Sequence, residues 1–229
     1  GPAWDALDLS VRLMQQLEPE AEIHVTHQAD PPSRIEGIIY HAQDGGSGML
    51  GRHTPSRFTR FTHEAWLDND HIMWALPAGW KRWRARDDAY LLWLTHWPYY
   101  GTWPEPHVKA NAGMWGLPPL AAWEPLALRG DHDFEPDEMG AIVTRLNERE
   151  PHEYVTTEEV TLYCPDHNII KGNVIGSHGV HLNGLNRGWN AKGEKLLSWL
   201  RRECLSGMVG AWGDRHREHE SPHSYELTE

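Results

Sequence analysis

The sequence predicts an α+β fold, and three observations carry that prediction. An amphipathic helix opens the chain, short alternating segments between turn residues follow, and a second amphipathic helix lies near the C-terminus. The 229 residues fit one large domain, or a medium domain with a small module. The expected division is an aromatic-rich α+β domain over 3–150, a compact module over 151–213 and a polar tail over 214–229.

Residues 3–18 place Trp4, Leu7, Val11 and Met14 at helical spacing, which predicts one apolar face. Glu22 to His27 alternates as a strand until Asp30-Pro31-Pro32-Ser33 breaks it. Arg34 to His41 reads as a second strand, and residues 44–51 as a Gly-rich loop. Trp66 to Trp103 is short, aromatic and strand-like, and it runs into a Pro-rich stretch ending near Pro125. Pro136 starts a helix with a stripe of Met139, Ile142, Val143 and Leu146. Val155 to Tyr163 reads as one strand, and 192–205 as a helix with Leu196, Leu197, Leu200 and Cys204 inward.

Composition narrows the function classes. The net charge is −12, which argues against a protein that coats nucleic acid without regard to sequence. That total conceals local contrast. Residues 121–165 hold eleven carboxylates against three arginines, while 167–202 hold six basic side chains against Glu194 alone. Residues 52–86 are also basic. No apolar run is long enough to span a membrane, so no membrane partner is expected. Gly1-Pro2 looks like the scar of a cleaved tag, and the residues after it lack the basic and apolar regions of a secretory signal. Cys164 and Cys204 allow one bridge at most, and a reducing cytoplasm is the simpler setting. Thirteen Trp against three Phe is unusual, and indoles suit pockets as well as cores.

Two readings compete for residues 163–195, the densest run of candidate ligands. In one, Cys164, His167, His178 and His181 form a structural zinc site, as two close pairs joined by a loop. The other starts from Asp166-His167, with His181-Leu182, Asn190 and Lys192-Gly193 following in order. This run resembles the HNH, or ββα-metal, endonucleases, although Asn186 and Trp189 stand where a cysteine pair often clamps such modules. The resemblance implies a small ββα-type C-terminal module in which His167 is the general base. Asp166 and Asn190 would hold one divalent cation, magnesium or manganese, and His181 would orient the base.

Other segments carry alternatives. In GWKRWRARDD, Trp80 and Trp83 interleave with Lys81, Arg82 and Arg84, which suits phosphates and stacked bases. A strand with Trp inside and Arg outside explains the same pattern, and Trp93, Trp97, Tyr99, Tyr100 and Trp103 extend the aromatic cluster. Arg187, Lys192 and Lys195 are further candidate nucleic-acid contacts. His24 and His27 fall on opposite faces of a strand, so they do not share a metal. Gly45-Gly46-Ser47 with LDND at 67–70 is similar to a nucleotidyltransferase arrangement in which Asp68 and Asp70 hold magnesium. The separation is longer than that family's, and a loop followed by a solvated turn is the reading retained. DPPS at 30–33 resembles a methyltransferase turn but lacks its stacking aromatic.

The expectation is therefore a cytoplasmic nucleic-acid-processing protein, a metal-dependent endonuclease most simply acting on DNA. The rivals are a non-enzymatic nucleic-acid-binding protein with structural zinc, and an acidic protein-binding or inhibitory protein.

Overall fold

The computed structural model describes residues 1–27, 31–42, 59, 61–95, 110–123, 145–166, 172–185 and 190–205. It is an α+β protein, as the sequence predicts. Its contacts form two units. One joins Gly1–Ala21, Asp68–Pro77 and Thr156–Glu229; the other joins Glu22–Leu67 and Ala78–Val155.

The first unit is a helix pair on a three-stranded sheet. Helix α1 spans Pro2–Leu17, with Pro2 at a first-turn position where its missing N–H costs nothing. Its buried side is Ala6, Leu9, Ser10, Val11, Leu13 and Met14. Val11 and Met14 lie on the predicted stripe, but Trp4 and Leu7 are only half-buried, so the inward face is rotated towards Leu9 and Leu13. Three strands of the unit run His71–Met73, Val160–Leu162 and Gly179–His181. The second long helix, Ala191–Leu205, buries Leu196, Leu197, Leu200 and Cys204 as predicted. These four pack with Ala6, Leu9, Leu13, Ile72, Val180 and Leu182 in one apolar cluster.

The second unit is built on two sheets. Strands β1 (Ile23–His27) and β2 (Ile38–Ala42) pair in parallel. A four-stranded sheet is assembled from β3 (Glu64–Leu67), β5 (Tyr90–Leu94), β6 (Ala110–Leu117) and β7 (His152–Val155), in the order β3-β6-β5-β7. In chain order the strands of the first unit are then β4, β8 and β9. Every residue of β6 is buried, as a central strand requires. Helix α2 (Ala78–Arg84) packs on β7, and Gly79 permits it: a Cβ there would lie 1.8 Å from the Tyr154 carbonyl oxygen. The Ala191–Leu205 helix is α3.

Two segments depart from expectation. GWKRWR is helical, because Trp80 and Trp83 stand three apart and both turn inward while Lys81, Arg82 and Arg84 face out. The single strand expected over Val155–Tyr163 is two, β7 and β8, and they belong to different units. The break is a Thr156–Glu159 turn in which the Thr156 N–H donates to Glu159 Oε2 at 2.9 Å. The acidic helix predicted behind Pro136 lies outside the described residues apart from a helical turn at 145–147, where Leu146 is buried. The Gly-rich loop and the polar tail also lie outside them. Among the described residues no helix is long and apolar enough to cross a membrane.

Candidate metal centre

Strand direction in the first unit gathers functional groups at one end of its sheet. The order is β4-β9-β8, with β9 antiparallel to β4 and parallel to β8. The start of β4 and the ends of β8 and β9 therefore share one edge. His71 stands opposite His181, and Leu162 is also registered with His181. Backbone bonds close the edge: Tyr163 N–H donates to the His181 carbonyl, and Leu182 N–H donates to the Asp70 carbonyl. Glycine at 179 allows this approach, since a Cβ there would stand 2.7 Å from the Ile72 carbonyl oxygen.

The residues at that edge have metal-ligand chemistry. Asp68 and Asp70 occupy the turn before β4, where the His71 N–H donates to the Asp68 carbonyl. Alternation along β9 turns Val180 into the apolar cluster and His181 to the opposite face. There His181 Nε2 lies 2.9 Å from Asp70 Oδ1 and 3.7 Å from Asp68 Oδ2. One ligand atom from each of the three lies within 4.8 Å of the others. The side chains are only 5%, 10% and 16% exposed for His181, Asp68 and Asp70. His71 stacks on His181 with centroids 4.2 Å apart and planes at 19°, which holds the imidazole plane in place. Among the described residues, this group could hold a metal ion. The solvated turn expected at LDND is thus corrected: its two aspartates are largely buried and face a histidine. Two negative charges beside one imidazole suit a divalent cation, and an O,O,N set leaves room for further ligands.

Asn190 and Asp166 organise the same edge without joining the group. Asn190 is buried, and its side-chain NH2 donates to the Tyr163 carbonyl at 3.0 Å and the Asn183 carbonyl at 2.8 Å. Its Oδ1 accepts from the Gly193 N–H at 2.9 Å, the geometry of a helix N-cap. Both amide donors go to backbone carbonyls and Oδ1 takes the cap bond, so Asn190 fixes the start of α3. Asp166 Oδ2 accepts from the Lys192 N–H at 2.9 Å and so sits at the N-terminus of α3. Burial first, and the Asp166 carboxylate second, hold the Tyr163 phenol above its ordinary value. An isolated antiparallel bridge pairs Cys164 with Gly172, and His167 lies outside the described residues.

The zinc set expected from sequence is not assembled by its described members. Cys164 is fully buried and unbridged, and its N–H donates to the Gly172 carbonyl. His178 Nδ1 lies 2.8 Å from Ser177 Oγ, while His181 faces the aspartates. Strands β8 and β9 run parallel, and the antiparallel neighbour of β9 is β4.

The expected nucleic-acid contacts divide. Trp80, Trp83 and Trp93 are buried and offer no ring face to a base. Arg82 Nε donates to Glu153 Oε2 at 2.7 Å, and Arg86 bridges Glu153 and Asp88. Arg82, then burial acting the opposite way, then Arg86 set the Glu153 carboxyl, with a net shift below its ordinary value. Lys81, Arg84, Lys192 and Lys195 are exposed on their helices. Arg187, Trp97, Tyr99, Tyr100 and Trp103 lie outside the described residues. No protein-family model matches this chain, nor does any curated protein or solved structure.

Proposed function

We propose that this protein is a divalent-metal-dependent hydrolase of nucleic-acid phosphodiesters, with its metal at Asp68, Asp70 and His181. The convergence of two carboxylates and one imidazole carries the reading. Magnesium or manganese suits the carboxylates, and the imidazole shifts the preference towards manganese or zinc. Bound there, the ion would polarise a phosphoryl oxygen and neutralise charge on the leaving oxygen.

The remaining parts follow from sequence order and from the start of α3. His167 adjoins Asp166, which is tied to the start of α3. We assign His167 as the general base: it takes a proton from water as the water oxygen bonds to phosphorus and the ester P–O bond breaks. Lys192 and Lys195, on the first turns of α3, supply phosphate contacts. The Lys81–Arg84 stretch is a lesser candidate, because Glu153 holds Arg82.

The burial of all three ligands favours a second reading, a metal that only fastens the 68–70 turn to the end of β9. Cleavage of labelled single-stranded and duplex DNA in manganese separates the two. Wild type should cleave, Asp70→Asn should abolish cleavage, and His167→Ala should slow it about 10²–10⁴-fold with Tm unchanged. DNA binding without cleavage, together with a Tm that falls on chelation, would leave the structural reading standing.

A further inference from the structure

Beyond β9 the chain turns at residues 183–185, and that turn holds Asn183-Gly184, the only asparagine in the sequence followed by glycine. Buried Leu182 and Leu185 anchor it on either side in the apolar cluster. The Asn183 carbonyl accepts from the Asn190 side chain at 2.8 Å. Asn183 and Gly184 themselves are half-buried, and Gly184 has a φ of 84°, in the left-handed region. Among the described residues, no hydrogen bond engages the Asn183 side-chain amide or the Gly184 N–H. Asn111 and Asn190 contrast with this. Both are buried, Asn111 Oδ1 accepts from the Gly113 N–H at 2.8 Å, and Asn190 makes its three bonds at the start of α3.

The two unengaged groups are the ones that react when asparagine, a chemically labile residue, cyclises onto the next peptide nitrogen. Glycine has no Cβ to shield that nitrogen. We propose that Asn183-Gly184 is a self-modification site with water as the co-reactant. Hydroxide removes the Gly184 N–H proton, the nitrogen bonds to Asn183 Cγ, and the Cγ–Nδ2 bond breaks. Ammonia leaves with a proton from water, and a succinimide remains. Water then opens the ring at either carbonyl, which gives aspartate or isoaspartate at position 183. Either product adds one negative charge two positions beyond His181. In the isoaspartyl form the main chain runs through Cβ and Cγ, and the former carbonyl becomes a side-branch carboxylate. The acceptor that Asn190 holds is thereby taken off the main chain. The chemistry needs no metal and is independent of the Asp68–Asp70–His181 centre.

Mass spectrometry of the full chain, kept folded or in denaturant in mildly alkaline buffer, tests this. The folded protein should gain one mass unit, and fragmentation should place it at Asn183, at a rate comparable with that of the denatured chain. Two products of equal mass should separate. Asn111 and Asn190 should stay unchanged while the protein is folded. Asn183→Gln should remove the gain, because its ring would need six members. A gain at Asn183 in the denatured chain but none in the folded protein would overturn the proposal, since the turn would then protect the site. A gain that persists in Asn183→Gln would equally overturn it. The isoaspartyl form, isolated by its extra charge, should melt below Asn183→Asp, which keeps the main chain and the carbonyl that Asn190 holds. Equal Tm values would overturn the assigned effect on that bond.

Discussion

Asn190 shows how one side chain can be conspicuous in sequence for one reason and present in the structure for another. Its place after a DH pair and before a helix resembles a nuclease ligand, yet its amide caps α3 and binds two carbonyls. Asn190→Ala removes the cap and leaves two carbonyls short of donors, at roughly 1–3 kcal/mol for each buried group stranded. Thermal unfolding should report a clear fall in Tm with or without metal. An unchanged Tm would mean that these bonds add nothing to stability. Cys204 is the second case. Burial in the α1–α3 cluster, and secondarily Glu203, push its thiol from 9.0 up to about 11. The raised value means the protonated thiol contributes stability below about pH 9, and this is lost as pH rises towards 11. At pH 8 iodoacetamide should label Cys204 far more slowly in the folded protein than in denaturant. Equal rates would place the thiol at the surface.

At the scale of elements, legibility depended on how much of each element's environment was local. Helix α3 and strand β1 were readable, since their apolar spacing is carried within a single segment. Helix α1 was readable as a helix but not in its facing, because Leu9 and Leu13 are chosen by partners in β4 and α3 that lie far along the chain. Helix α2 was missed: its seven residues lie in an aromatic stretch whose composition favours strands, although two Trp three apart share a face in a helix and not in a strand, and Gly79 against Tyr154 permits its packing. Its cations were legible and their acidic partner was not, since Glu153 follows Arg82 by 71 positions. That pair yields a test. Glu153 titrates below its ordinary value when folded, so it adds stability above the ordinary carboxylate range, and this is lost as pH falls through the depressed value. Glu153→Gln should lower Tm at pH 7, with the difference from wild type shrinking in acid. A difference that is constant with pH would mean the ion pairs contribute nothing.

For the whole molecule, the candidate centre was legible only in fragments. His181 stood out within the 163–195 cluster and Asp68 with Asp70 within LDND, each in a different arrangement. What unites them is the antiparallel pairing of β4 with β9, a contact between segments more than a hundred positions apart that periodicity cannot reveal. The contact units have the same non-local origin, since Asp68–Pro77 joins Thr156–Glu229 and not the strands that flank it in sequence. The central claim is that Asp68, Asp70 and His181 bind a divalent cation. Manganese serves best as the probe, because it suits an oxygen-rich ligand set and its free ion gives a paramagnetic signal. The most direct measurement is electron paramagnetic resonance of free manganese titrated against the full chain and against Asp70→Asn. Wild type should remove one equivalent of the ion from the free signal, and Asp70→Asn should remove none while keeping its fold. Equal manganese uptake by the two proteins, or none by wild type, would contradict the account.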